Sequence, residues 1–372
     1  MSARGATLSA SFSGVTTENA AQNVGFKYRQ NGSSTYTDVY VNDAFVGSGT
    51  YSAEITGLSP STTYYYKAVM DVIDPATGEY VTIEGQELSF TTNAEASVTT
   101  GYMSCYEVPE VSLDGTGDSG YYSGKDDYWY RYNTTNSMRA IATHTFKNSS
   151  GKYVRNYTVM LDGNKKAPVW TAHAMHSSTW ADNKVNRNES WGYDPAFDDD
   201  WQQSGVSGYS KGHLVASNYR QTTVLQNKQT FYYSNQAPQW QTHFNDAIWN
   251  NLENKVKAAA PTGRDTLYVV TGVLYEGTPK YVSGIQIPSH FYKCVMMCTF
   301  NTSGTITAAS GCAYVFDNEY IDETDPDDED SNKNPTYRTT IDSIEQRAGF
   351  NFFPLVPENL QSAAESSTAT IW

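Results

Sequence analysis

Ser210-Lys211-Gly212-His213 sets a histidine directly after a basic residue and a glycine. An imidazole exchanges its proton near neutral pH, so His213 at a strand edge can take a proton from water as a general base. Further along, the chain reads Asn245-Asp246-Ala247-Ile248-Trp249-Asn250-Asn251-Leu252-Glu253. In a helix, Asn245, Trp249 and Glu253 fall at i, i+4 and i+8 and share one face. An amide oxygen and a carboxylate on one face suit a hard divalent cation, directly or through water. The same spacing also describes a helix packed through Ile248 and Leu252, with Asn245 and Glu253 merely solvated. Spacing alone leaves both readings open.

Other polar clusters carry blander readings. His243 falls off the Asn245 face and reads as a surface or capping residue. His173 and His176 stand at i, i+3 without a third ligand at zinc spacing. His290 follows a proline and reads as structural. The run Asp322 to Asp330 holds seven acids in nine residues, lacks the ligand order and central glycine of an EF-hand, and reads as a solvated loop. Four cysteines form no metal-type pair; Cys294 and Cys312 are equidistant from the Ser303-Gly304 turn, so they either face each other across a hairpin or are buried free thiols.

Two stretches of different grammar must position these groups. Residues 1–96 alternate like strands in TLSASFSG, VGFKYRQ, TDVYVND, YSAEITGL, YYYKAVMDV and QELSFTT, which predicts an antiparallel sandwich. A linker is expected at Asn93–Ser97. Beyond it, strands at RAIATHTF and YVRNYTVML precede a loop-rich stretch over 171–212. A helix over 239–259 follows Pro238, then strands at TLYVVTGVLY and FYKCVMMCTF, and a short helix from Ser343.

Two resemblances follow from these motifs. Leu58-Ser59-Pro60-Ser61-Thr62-Thr63-Tyr64 resembles the strand corner of fibronectin type III domains, in which a tyrosine hydroxyl bonds back to the turn. The usual early tryptophan is missing, and Phe12 or Phe26 is expected in its place. Such a domain over 1–96 implies a spacer or binding module, with a surface, carbohydrate or protein partner.

The order Gly-His, Ser234-Asn235-x-x-Pro238-Gln239, then Asn245-x-x-x-Trp249-x-x-Leu252-Glu253 resembles the DNA/RNA non-specific endonuclease family. Pro168-Val-Trp170-Thr-Ala172, Arg187 through Phe197, Tyr268-Val-Val-Thr-Gly272, Ile287 through Lys293 and Ile344 through Phe353 extend the likeness. It therefore covers roughly 100–360. The resemblance implies an α+β domain with a ββα-metal core over 97–372, separate from the all-β N-terminal sandwich. It also implies a phosphodiesterase that cuts DNA and RNA internally through backbone contacts, with little sequence preference. By the same likeness His213 is the general base and Asn245 the metal ligand, with Mg²⁺ as the usual ion and Mn²⁺ an alternative. Glu253 holds a metal-bound water and supports the leaving group, Arg187 stabilises transition-state charge, and Lys257 contacts phosphate. The family pattern has Asp-Arg where this chain has Ser210-Lys211; Lys211 keeps the charge and loses the bidentate fork. That departure supports a rival reading, a binding or adhesion protein whose nuclease-like domain is inert.

Composition limits the alternatives. The 372 residues are 14% aromatic, with 29 Tyr, and only 17% charged, which excludes a disordered chain. No apolar run reaches the roughly 18 residues of a membrane helix. The sequence MSARGATLSASFSG has no apolar core, so no signal peptide is expected in it; a nuclease beside a binding module nonetheless suggests an extracytoplasmic site of action. A net charge of −15 argues against passive binding of nucleic acid by charge. Residues 1–96 carry 4 basic and 10 acidic groups, and 97–372 carry 21 and 30, with seven of those acids in the 322–330 run. Outside that run the balance of the second stretch is close to even.

Overall fold

The computed structural model describes the chain except residues 1–5, 18–20, 42–45, 56–57, 60–61, 93–104, 123–126, 148–150, 152, 177–184 and 328–336. Its contacts separate into two units, Met1–Thr99 and Thr100–Trp372. The linker expected at Asn93–Ser97 lies outside the described residues.

In the first unit, seven strands form two sheets. They are β1 (Ala6–Val15), β2 (Gln22–Gln30), β3 (Thr37–Tyr40), β4 (Gly47–Ile55), β5 (Thr63–Ile73), β6 (Tyr80–Glu84) and β7 (Leu88–Thr91). β1 pairs with β4; β3, β2, β5 and β6 form the second sheet, with β7 on the other end of β5. Alternation along β1 buries Ala6 and Leu8, and β5 contributes Tyr64 and Val72 to the same core. Phe26 is fully buried beside Tyr51 and Tyr66, while Phe12 is only partly covered, so Phe26 holds the central aromatic position. At the corner, the Ser59 N–H donates to the Tyr64 hydroxyl over 2.9 Å. β6 was not among the strands read from the sequence, because all five of its residues are exposed and it has no buried face to show as alternation.

The second unit is built on a nine-stranded antiparallel sheet. Its strands are β8 (Leu113–Tyr122), β9 (Asp127–Thr134), β10 (Arg139–Lys147), β11 (Tyr153–Asp162), β12 (Ala167–Met175), β15 (Thr266–Leu274), β18 (His290–Phe300), β19 (Ile306–Asp317) and β20 (Arg338–Thr339). β13 (Ser210–His213) with β14 (Gln236–Gln239), and β16 (Lys280–Val282) with β17 (Ile285–Ile287), make two-stranded sheets. The helices are α1 (Val224–Gln229), α2 (Trp249–Ala258, preceded by a wide turn from Gln241), α3 (Ile341–Ala348) and α4 (Glu358–Glu365). The loop-rich stretch expected over 171–212 begins only after Met175, because β12 continues through it. α3 starts at Ile341, two residues before Ser343, since Thr340 caps it by accepting the Ser343 N–H.

Both faces of the large sheet are covered at its central strands, which explains their long apolar runs. On β15, Tyr268, Val270 and Leu274 enter one core, shared with Ile344 of α3 and Ala364 of α4. The intervening Leu267, Val269 and Val273 enter the other, under α2. On β18, Phe291 and Val295 point to the α2 side, so strand alternation sends Lys293 there too. Antiparallel pairing of β18 and β19 also decides the cysteines. A register shift at Thr299/Phe300 sets Cys294 opposite Ala313 and Cys312 opposite Val295. Cys294 thus enters one core and Cys312 the other, so the two do not face each other across the hairpin.

Candidate active site

β13 runs into His213 while its partner β14 leads through Trp240 into the helix that carries Asn245 and Glu253. The register sets Ser210 against Gln239 and His213 against Gln236. Gly212 allows this approach: a Cβ there would lie 2.3–2.8 Å from the Gln239 side chain. Asn235 fastens the two strands. Its Oδ1 accepts the Val215 N–H (2.9 Å) and its Nδ2 donates to the carbonyls of Val215 (3.0 Å) and Thr230 (2.8 Å). Ser234 and Asn235 of the sequence motif are therefore scaffold, since the Ser234 hydroxyl bonds Asp194. Asp194 is fully buried and also takes His144 Nε2 (2.9 Å) and the Ala196 N–H (2.9 Å), which fixes the loop after Trp191.

That loop forms one wall around His213. The Trp191 ring lies 4.6 Å from the imidazole, and Phe231 meets it edge-on at 4.9 Å. Arg187 lies over the same Phe231 ring (5.1 Å) and donates to Ser217 Oγ (2.8 Å). Lys211 Nζ sits over Trp191 at 5.9 Å. Although the His213 ring is partly accessible, its Nε2 is buried and takes no hydrogen bond among the described residues. Burial, and then the positive charge of Arg187, push its pKa down to about 3. The imidazole is thus neutral and able to accept a proton at ordinary pH.

Glu253 is buried beneath this group, and the Tyr219 hydroxyl donates to its backbone carbonyl (2.9 Å). Burial raises its carboxyl pKa, while the charges of Lys293 and Arg187 pull it back. Lys293 is fully buried, donates to Thr271 Oγ1 (3.0 Å) and lies over the Trp249 ring at 4.7 Å. Its own pKa is lowered by burial and supported by Glu253. The Arg187 charge therefore bears on both His213 and Glu253.

Asn245 is half-buried in the wide turn before α2, where the Trp249 N–H bonds Phe244 O, five residues back. The even i, i+4, i+8 face expected from the sequence is widened there: Trp249 is core, packed on Phe291 and Phe316, and Asn245 is displaced toward β13. Its Nδ2 donates to Gln241 Oε1 (3.0 Å), and its Oδ1 takes no hydrogen bond among the described residues. A hard oxygen donor left open in this way fits a divalent cation. Lys257 lies one turn beyond Glu253 and shares no hydrogen bond or ion pair with the other candidates among the described residues. Sequence reasoning missed the roles of Lys293, Trp191, Phe231 and Ser217. A lysine inside the apolar run FYKCVMMCTF was the one available signal.

The remaining polar groups lie apart from this cluster. His243 donates its N–H to Asp246 Oδ1 (2.6 Å), His176 Nε2 contacts Gly263 O, and His290 pairs with Asp317 (2.8 Å). The acidic run is less solvated than its composition suggested. Lys255 binds Asp325 and Asp327 at 2.6 Å each, and Tyr314 and Trp372 also bond Asp327; residues 328–330 lie outside the described residues.

Comparison with known proteins settles the family. Residues 137–359 match the model of the DNA/RNA non-specific endonucleases. The chain belongs to that family. Endonuclease G of Caenorhabditis elegans mitochondria is 30% identical over 159 residues, covering 40% of this chain and 47% of that protein. A nuclease of Nostoc is 27% identical over 217 residues, covering 56% and 75%. A chain in the crystal structure of the EndoG/EndoGI complex aligns with 24% identity over 58% of this chain and 88% of its own, at a TM-score of 0.44. This endonuclease-family chain thus spans about half the length of the endonuclease G it matches.

Proposed function

We propose that the chain is a metal-dependent endonuclease that hydrolyses phosphodiester bonds of DNA and RNA with little sequence preference. The observation that carries the reading is a neutral His213 and a buried Glu253, both in the field of the Arg187 guanidinium, with an open Asn245 Oδ1 on a turn tied through Gln241 and Ser210 to the strand of His213. A divalent cation such as Mg²⁺ or Mn²⁺, held by Asn245 Oδ1, would supply Lewis-acid neutralisation of phosphate charge.

The chain's own groups do the rest. His213 takes a proton from water as the water oxygen bonds phosphorus. Arg187, braced on Phe231 and Ser217, meets the charge that gathers on the non-bridging oxygens. Lys211 adds a second positive charge at the rim. The bond from phosphorus to the leaving oxygen breaks, and that oxygen departs with a proton from water held at Glu253; the hydroxide left there is neutralised through solvent by the proton that His213 took, which restores both groups. Lys293 behind Glu253 favours the ionised carboxylate, which can hold that water as an acceptor. Lys257 is kept as a phosphate contact for a longer substrate. The N-terminal sandwich, with its Tyr64 corner, fits a fibronectin type III-like binding module, and action outside the cytoplasm follows as part of the same proposal.

The test uses supercoiled plasmid and a folded RNA, each with Mg²⁺, with EDTA and with His213→Ala. Cleavage that needs both the ion and His213 is the expected result. Intact substrates under every condition would overturn the enzyme reading in favour of an inert binding protein. Cleavage that survives both EDTA and His213→Ala would overturn the mechanism.

A further inference from the structure

The wide turn before α2 grips Asn245 twice. The Asn245 N–H donates to Trp240 O (3.1 Å), and Asn245 Nδ2 donates to Gln241 Oε1 (3.0 Å). Gln241 Oε1 is in turn bonded by Ser210 Oγ, on the same short strand as His213. The turn closes because Thr242 is extended (ψ 125°) and His243 is left-handed (φ 64°). A non-glycine residue in that region is strained and persists only where its surroundings hold it. Here the His243 N–H on Asp246 Oδ1 and its ring against Tyr320 (4.7 Å) do so. The strand that ends in the base and the turn that carries the open amide oxygen are thus tied through one glutamine.

An asparagine amide has two unlike ends, and only the oxygen end can serve a cation. An acceptor placed against Nδ2 occupies the wrong end and leaves Oδ1 facing out. We propose that Gln241, anchored by Ser210, is a positioning residue that holds the Asn245 amide with its oxygen presented to the cation. Ser210 occupies the position where the family pattern has a carboxylate, so the Ser210–Gln241 bridge supplies orientation through a neutral route. The proposal rests on Asn245 being the metal ligand, and its test separates the two.

The full-length protein is titrated with Mn²⁺, and free ion is followed by electron paramagnetic resonance. Gln241→Ala should weaken Mn²⁺ binding about tenfold, in the range seen when a partner of a metal ligand is removed. Ser210→Ala should weaken it less, and Ser210→Thr, which keeps the hydroxyl, should restore it. The decisive arm uses Asn245→Asp, whose two carboxylate oxygens are equivalent and need no orientation. In that background Gln241→Ala should change affinity by less than about twofold, because there is no wrong end left to exclude. An unchanged affinity in Gln241→Ala, with binding lost in Asn245→Ala, would overturn the positioning role alone. Equal losses from Gln241→Ala with Asn and with Asp at 245 would do the same. Unchanged binding in Asn245→Ala would overturn the ligand reading itself, and the proposal with it.

Discussion

In the N-terminal unit the buried side chains are nearly all apolar: Leu8, Val24, Phe26, Leu58 and Phe90 fill the core, and Thr92 is the one buried polar residue among those described. In the C-terminal unit Glu107, His144, His173, Asp194, Arg220, Glu253 and Lys293 are all buried. Burying an ionisable group is costly unless it is paired or kept neutral. His173, whose ring nitrogens take no hydrogen bond among the described residues, is held uncharged by burial, and the others lean on partners that the fold arranges. The difference separates a unit that needs only to be stable from one that must hold particular charges in place. Within the second unit the buried groups also divide. Asp194 and His144 serve the frame, whereas Glu253 and Lys293 face the site.

The frame gives the largest expected effect. Asp194→Ala leaves the buried donors of His144, Ser234 and Ala196 without their acceptor. The loss should be about 3–5 kcal/mol, as for a buried pair stripped of one partner. Denaturant unfolding followed through the tryptophans would register it, and because all eight Trp lie beyond residue 96 that signal belongs to the C-terminal unit. A change under about 1 kcal/mol would mean that Asp194 is not the keystone of the Trp191 wall.

Gly212→Ala ranks next. The added Cβ meets the fully buried Gln239 side chain, and overpacking of that kind costs about 1–3 kcal/mol. Because Gly212 precedes His213, cleavage should fall more steeply than stability, with kcat reduced at least about tenfold. Equal activity per folded molecule would show that the strand accommodates the methyl group without moving the base.

Much of this site was legible before the fold was known, and the reason is local. Gly212-His213, Ser234-Asn235-x-x-Pro238-Gln239 and the Asn245-to-Glu253 spacing lie within one β–β–helix stretch, where sequence order and spatial order nearly coincide. What was hidden depends on distant pairing. His144 and Asp194 are fifty residues apart, and nothing near either one indicates the other. The register shift at Thr299 moves Cys294 off Cys312, although the count of residues from the turn put them opposite. The left-handed His243 has no signature such as glycine, so the widened turn could not be read from periodicity. The α4 helix, which follows Pro357 and covers the far face, was also missed.

Lys293→Met sharpens the contrast inside the second unit. Methionine fills similar volume, so little packing is lost, and the buried Glu253 loses its counter-charge. Its carboxyl pKa is already raised by burial, with Lys293 opposing that shift; removing the lysine should raise it by at least about one unit. The sign follows from linkage. A raised folded pKa means that the folded chain holds the proton more tightly than the unfolded chain does. Glu253 therefore favours folding most below the ordinary carboxyl range, and that contribution is lost as pH rises through the folded value. Carboxyl NMR titration of metal-free protein should show the step moving to higher pH in the variant. With His213 depressed to about 3, any loss of activity on acidification from neutral pH should track Glu253 and move with it. A Glu253 step that stays in place would remove Lys293 from the site.

The smallest effect belongs to the N-terminal unit. Tyr64→Phe keeps the ring stacked on Phe90 (5.6 Å) and removes only the oxygen that accepts the Ser59 N–H. A single hydrogen bond of this kind contributes about 0.5–1.5 kcal/mol. The corner is part-buried, so water can replace part of that bond, and the cost should fall in the lower half of the range. The proposed nuclease activity should be unchanged, since no buried charge among the described residues bonds this corner. Cleavage that fell with Tyr64→Phe while the C-terminal unit's tryptophan-detected stability stayed constant would show that the N-terminal unit takes part in turnover, and the division between a stable module and a charged site would have to be redrawn.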